Sequence, residues 1–144
     1  MTVRNADRLM KKLSKLPLDV RSGIGRALAV SVMQVDAYAK QKIQGGGRGG
    51  RTYRRRGISH QASAPGEFPK TDSGQLVSSL FFRVGADKLS AFFGTMLAYG
   101  RYLEFGTSQM QPRPWLRSSL KANAADISGR IRTAVAEALR RSRG

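Results

Sequence analysis

His60 is the one histidine of the chain, and it stands in the run Ile58-Ser59-His60-Gln61-Ala62-Ser63. An imidazole beside two serines is the raw material of a nucleophile and its base. Such a pair works only when a third group orients the base. Nothing in the local sequence orients His60, so we read it as a solvated or partner-contacting imidazole. Paired carboxylates are not better supplied: the 9 acids are scattered, and the nearest two in sequence are Glu67 and Asp72. Cysteine is absent, which removes disulfides, thiolate catalysis and Cys-based metal sites and fits a reducing compartment. A single histidine also excludes multi-histidine metal sites. The glycine-rich run Gly45-Gly46-Gly47-Arg48-Gly49-Gly50 resembles a phosphate cradle in composition only. A P-loop needs its lysine and hydroxyl residue immediately before a helix, whereas this run follows a helical pattern and leads into basic loop. We expect no enzymatic activity, no metal and no cofactor.

The charge is more informative. Lys and Arg number 26 against 9 acids, a net charge of +17. A field of that size on 144 residues favours nucleic acid, an anionic surface or an acidic protein partner. No zinc spacing, RNP-like run or clear helix-turn-helix accompanies it. No apolar run approaches the roughly 20 residues that span a bilayer, and the start lacks the uninterrupted apolar stretch of a secretory signal. A basic N-terminal helix lying on a membrane would want tryptophan or phenylalanine on its apolar side, and none is there.

These residues must be positioned by an α+β chain of single-domain size. Residues 5–16 read as a short amphipathic helix with Leu9, Leu13 and Leu16 at helical spacing, capped by Asn5 and broken at Pro17. A second helix runs to about Gln44 with Val20, Ile24, Ala27, Leu28, Val32, Val35 and Ala39 as its apolar stripe, ended by Gly45-Gly46-Gly47. Residues 45–72 show no apolar period and read as a long extended basic loop, mobile in the free subunit and ordered by partners. Leu80–Gly85 and Ser90–Thr95 read as two strands joined at Ala86-Asp87-Lys88-Leu89. A helical turn capped by Asp72 or Ser73 precedes them. Ala98–Phe105 fits helical spacing better than strict alternation. A long helix from about Pro114 to residue 142 turns Leu116, Leu120, Ala124, Ile127, Ile131, Val135 and Leu139 to one side, and basic residues through Arg143 crowd its C-terminal end. The expected architecture is one domain: helices over 5–44, loop over 45–72, a small antiparallel β-sheet region over 73–113 and the last helix over 114–142, with the sheet packed against both long helices.

Two segments carry further information. Tyr53-Arg54-Arg55-Arg56 begins a basic, proline-punctuated arm that continues through His60 to Ala64-Pro65-Gly66-Glu67 and then Asp72-Ser73-Gly74-Gln75-Leu76. Three arginines beside a tyrosine suit phosphates and base stacking, although an isolated run of this kind is commonly a solvated face. In the second segment Glu104 is the only acid between Lys88 and Lys121, amid Tyr102, Leu103 and Phe105 and next to Gly106. An acid in apolar company wants a partner. Arg101, Arg113 and Arg117 are candidates, and we expect an ion pair with Arg113 that braces a turn at Gly106. Pro112 and Pro114 stiffen the entry to the last helix, and Trp115 anchors it.

In this order the two segments resemble the tailed-bacteriophage neck, or tail-completion, family, also found in prophages and gene transfer agents. The matching positions are Tyr99, Leu103, Glu104, Phe105, Gly106 and Thr107, then Arg113, Pro114, Trp115, Leu116 and Arg117, with Ala62–Pro69 and Asp72–Leu76 upstream. Trp115 stands where phenylalanine is commoner and Ser118 where proline is. The resemblance covers nearly the whole chain and implies a tail-terminator-like α+β subunit of a homo-oligomeric ring, of six or else twelve copies, at the head–tail junction of a virion assembled in the host cytoplasm. It implies a structural role in joining head to tail. The implied partners are sister subunits, adjacent head-closure or adaptor and tail-terminator or tail-tube proteins, and the genomic DNA in the channel. On this reading Arg48, Arg51, Tyr53, Arg54, Arg55, Arg56, His60, Pro65 and Glu67 form the oligomer or channel loop. The alternative is a basic nucleic-acid-binding protein.

Overall fold

The computed structural model describes residues 6–142. The chain is α+β: α1 (Ala6–Leu13), α2 (Leu18–Gly45), β1 (Thr52–Arg55), β2 (Ile58–Gln61), α3 (Gln75–Ser79), β3 (Leu80–Val84), β4 (Ala91–Thr95), α4 (Ala98–Phe105) and α5 (Leu116–Ser142). Each strand pair forms its own two-stranded sheet, β1 with β2 and β3 with β4. The expected N-cap Asn5 and the terminal Arg143 lie outside the described residues, as do the side chains of Leu9 and Leu13.

The described chain forms two compact units. One takes residues up to Met33, Phe82–Phe92 and the chain from Ala124; the other takes Gln34–Phe81 and Phe93–Asn123. Helices α2 and α5 and the β3–β4 hairpin each contribute to both. In the first unit Val20, Ile24 and Ala138 form the buried cluster, with Leu16, Leu28, Leu89 and Val135 packed against it. The hairpin turn is held there by Asp87, whose carboxylate accepts the Leu89 N–H and the Ser90 hydroxyl, each at 3.0 Å. Those two bonds, the Leu89 N–H foremost, hold the Asp87 carboxyl below its ordinary range.

The second unit is built on Ala39, Ile43, Leu76, Leu80, Leu103 and Trp115, with Phe68, Val77, Phe93, Met110 and Leu116 around them. Here the small sheet and both long helices share one apolar cluster. Helix α3 is capped differently from expectation: its N-cap is Gly74 at φ 75°, without a side-chain cap. Thr71 Oγ1 accepts the Gly74 N–H at 2.9 Å, which leaves Asp72 free for another task.

The stripe of α2 faces inward as its spacing predicts, with Val20, Ile24, Ala27, Val32, Val35 and Ala39 buried. That of α5 does so only in part: Leu116 and Val135 pack against the buried clusters, but the buried helix positions are Ser119, Asn123 and Ala138, while Leu120 and Leu139 are 43% and 40% exposed. Hydrogen bonds explain the rotation. The first turn is gripped from outside the helix, and the polar residues that follow are satisfied inside: Ser119 donates to the Trp115 carbonyl at 2.6 Å. Asn123 donates to the Ser119 carbonyl at 2.8 Å and accepts from Gln34 at 3.0 Å. With its polar atoms paired, that face is buried at little cost.

Candidate functional site

Residues 45–72 correct the expectation of an arm without regular structure. Thr52–Gln61 forms an antiparallel ribbon with Tyr53 opposite His60, Arg54 opposite Ser59 and Arg55 opposite Ile58. The turn is Arg56-Gly57, with φ 52° and 79°, the mirror-type turn that matches strand twist and normally selects asparagine or glycine first. The ladder continues one step, Gly50 donating to the Ala62 carbonyl at 3.0 Å and Ala62 to Arg51 at 3.0 Å. All of β1 is exposed, and β2 is exposed but for the half-buried His60.

The base of the arm is fastened to its own unit. Glu67 Oε2 accepts the Ala64 N–H at 2.7 Å and the Gly49 N–H at 3.2 Å. Gly66 N–H reaches the Pro112 carbonyl at 3.0 Å, and Arg113 Nε donates to the Ser63 carbonyl at 3.1 Å. Gly47 and Gly50 have no room for a side chain: a Cβ would sit 2.6 Å from the Glu67 Cβ in one case and 2.5 Å from the Ser63 carbonyl oxygen in the other. The glycine run therefore serves close backbone approach, as the departure from a phosphate loop implies. Pro65 lies exposed in the turn that Glu67 closes.

Alternation sorts the ribbon into two faces, because directly opposed residues share one side. Tyr53, Arg55, Ile58 and His60 form the inner face. Asp72 receives Arg55 Nη1 and lies 3.3 Å from His60 Nδ1, and the Tyr53 and His60 rings stack at 5.6 Å. Asp72 is thus the orienting group that local sequence could not supply, since it lies 12 residues downstream of His60. Among the described residues no hydroxyl hydrogen-bonds to the His60 ring. Ser59 is on the opposite face and Ser63 is buried in the base. A groove of about 260 Å³ runs beneath, lined by Tyr53, His60, Lys70, Tyr99, Leu103 and Arg113 among others. The outer face holds Thr52, Arg54, Ser59 and Gln61. Arg48, Arg51, Arg54 and Arg56 are exposed and make no ion pair among the described residues.

The second segment converges on one buried carboxylate. Glu104 is 2% exposed. Its Oε2 accepts the Trp115 and Leu116 N–H groups at 2.8 Å each, and its Oε1 accepts the Arg117 N–H at 3.1 Å and Arg117 Nε at 3.0 Å. Three N–H groups at the start of α5 thus receive their acceptor from α4, at the helix end where the dipole favours an anion. Arg117, not Arg113, is the ionic partner. Arg113 instead donates to the Ser63 and Gln111 carbonyls, and its own N–H reaches the Leu103 carbonyl at 2.7 Å. The pairing follows from geometry: an acceptor seated on the first turn of α5 has Arg117 within that same turn, whereas Arg113 precedes Pro114 and points to the arm.

The neighbouring residues complete the brace. Trp115 Nε1 donates to the Gly100 carbonyl at 2.9 Å, and its ring packs edge-on against Phe93. Gly106, at φ 76°, ends α4 by donating to the Tyr102 carbonyl at 2.8 Å, and Thr107 bridges to Met110. Pro114 lies two residues before the start of α5 at Leu116, with Trp115 between them. Tyr99 and Phe105 are 54% and 63% exposed and are not part of this core.

Comparison with protein-family models, curated proteins and solved structures gives no match. Among the described residues there is no metal-capable cluster of His, Cys, Asp or Glu, and no helix is long and apolar enough to cross a membrane.

Proposed function

We propose that the chain is a ring-forming structural subunit at the head–tail junction of a tailed phage, lining the DNA passage and enabling head and tail to join. The observation that carries this reading is the surface of the single subunit. Large apolar side chains stand exposed on most elements: Leu18, Val30 and Met33 on α2, Phe81, Phe82 and Phe92 on β3–β4, and Leu120 and Leu139 on α5. Scattered exposed apolar residues are ordinary. Here they sit on a two-stranded sheet with open edges and on two long helices, as in a subunit made to be covered by neighbours. A closed ring supplies that cover by rotation, since each copy meets the next through two different surfaces.

The ordered motif resemblance supports the same reading, and the Glu104 brace accounts physically for its positions Glu104, Trp115, Leu116 and Arg117. The basic arm then faces the DNA or an adjacent ring. The test is electron microscopy of the purified protein and of particles that lack it. Rings from the protein alone, and filled heads separated from tails in the deficient particles, are expected. A dispersed monomer that binds duplex tightly would favour a nucleic-acid-binding protein instead.

A further inference from the structure

We propose that the outer face of the β1–β2 ribbon is a binding site for the phosphate backbone of duplex DNA, with Arg54 and the tip residue Arg56 as its cations and Thr52 and Ser59 as hydroxyl donors. The inference names the partner of the arm and rests on the channel reading above. Three observations carry it.

The first is the division of labour between neighbouring arginines. Arg55 is held by Asp72 on the inner face, whereas Arg54 and Arg56 are exposed and have no carboxylate partner among the described residues. The second is composition. Tyr53 and Ile58, the ribbon's large apolar residues, belong to the inner face through their register with His60 and Arg55. The outer face offers no large apolar side chain: it holds guanidinium and hydroxyl groups, donors that contact phosphate, and the carboxamide of Gln61, whose nitrogen is already held by the Arg48 carbonyl. A protein partner would look for the apolar or aromatic centre typical of interface cores. The third is the turn. Arg56 occupies a left-handed position at φ 52° before Gly57, where asparagine or glycine would be less strained. A long cation at the strained tip of a two-stranded ribbon, itself narrow enough for a major groove, extends the reach of the site.

The strain makes the test clean, because Arg56→Asn removes the charge while favouring the turn. Binding of the full chain to a labelled mixed-sequence duplex is followed by fluorescence anisotropy between about 50 and 200 mM salt, where each phosphate contact adds about 0.9 to the slope of log affinity on log salt. The double variant Arg54→Thr/Arg56→Asn is expected to lower that slope by about 1.8, so that its affinity falls about 12-fold less than the native chain's over the same fourfold range. Arg54→Thr alone lowers the slope by about 0.9, and Arg55→Gln, which removes the same charge from the other face, leaves it unchanged. An equal loss from Arg54→Thr and Arg55→Gln would overturn the face assignment. Rings that form normally but bind no duplex would overturn the DNA site alone and assign the arm to a protein partner. Slope losses at Arg54 and Arg56 in a chain that never assembles would uphold the site and reject the channel reading.

Discussion

Glu104→Gln removes a charge and almost no volume from the most buried carboxylate among the described residues. The native carboxylate accepts four hydrogen bonds, two on each oxygen. Glutamine keeps one accepting oxygen. Its amide nitrogen must then face either the Trp115 and Leu116 N–H groups or the Arg117 N–H and guanidinium, donors against donors. Two charge-assisted bonds, each about 1.5–3 kcal/mol, are lost, and the expected destabilisation is the roughly 3–5 kcal/mol of a broken buried pair. For a chain of this size that lowers Tm by roughly 10–15 °C. Arg117→Ala separates the ionic part from the capping part. The Arg117 side chain is 68% exposed, and such a pair is worth under about 1 kcal/mol, so Tm should fall by no more than about 3 °C. Thermal unfolding by circular dichroism, with guanidinium titration as a second measure, reads both. If Glu104→Gln melts within about 2 °C of the native chain, or if Arg117→Ala costs as much as Glu104→Gln, the capping argument is wrong.

Three further outcomes follow. Gly100→Ala places a Cβ 2.4 Å from Thr95 Cγ2, and Thr95 cannot rotate without losing its bonds to Ser79 and the Leu97 N–H; a loss of about 1–3 kcal/mol is expected in the same melts, and none would mean that α4 shifts freely. Because the folded Asp87 carboxyl lies below its ordinary value of 3.8, its contribution to stability is present above that value and is lost as pH falls through the lower folded value; a denaturation series from pH 6 to pH 2 should show a smaller acid loss for Asp87→Asn, and parallel curves would contradict this. Replacing residues 51–61 by Asn-Gly joins Gly50 to Ala62 through a favoured turn and should leave a cooperatively unfolding subunit within about 1 kcal/mol of the native chain, as expected where exposed residues are removed; a denatured product would show that the ribbon is part of the fold.

Much of the scaffold is legible in the sequence for physical reasons. The α2 stripe is long, ends at three glycines and buries as its period requires. The β3 and β4 strands are short aromatic runs on either side of a polar turn, and α4 follows from the spacing of Tyr99, Tyr102 and Leu103. What was not legible depends on groups distant in sequence. The rotation of α5 is set by Glu104, 12 residues before Leu116, so Leu120 and Leu139 stand exposed although the period is regular. The same distance hides the choice of Arg117 over Arg113. The ribbon is concealed because Thr52–Gln61 has almost no apolar alternation. Its one local signal is the turn, where an arginine stands in place of the usual asparagine before Gly57. The orientation of His60 by Asp72 likewise needs the arm to fold back onto the start of α3.

The most direct test of the ring is the mass of the purified full-length chain in solution by sedimentation velocity, at concentrations of about 10 μM and in moderate salt that screens the +17 charge. A discrete species at a fixed multiple of 15.8 kDa, seen as an annulus in the same fraction, is the result expected. A single boundary at 15.8 kDa across that range, with Phe82, Phe92 and Leu120 remaining open to solvent, would contradict it.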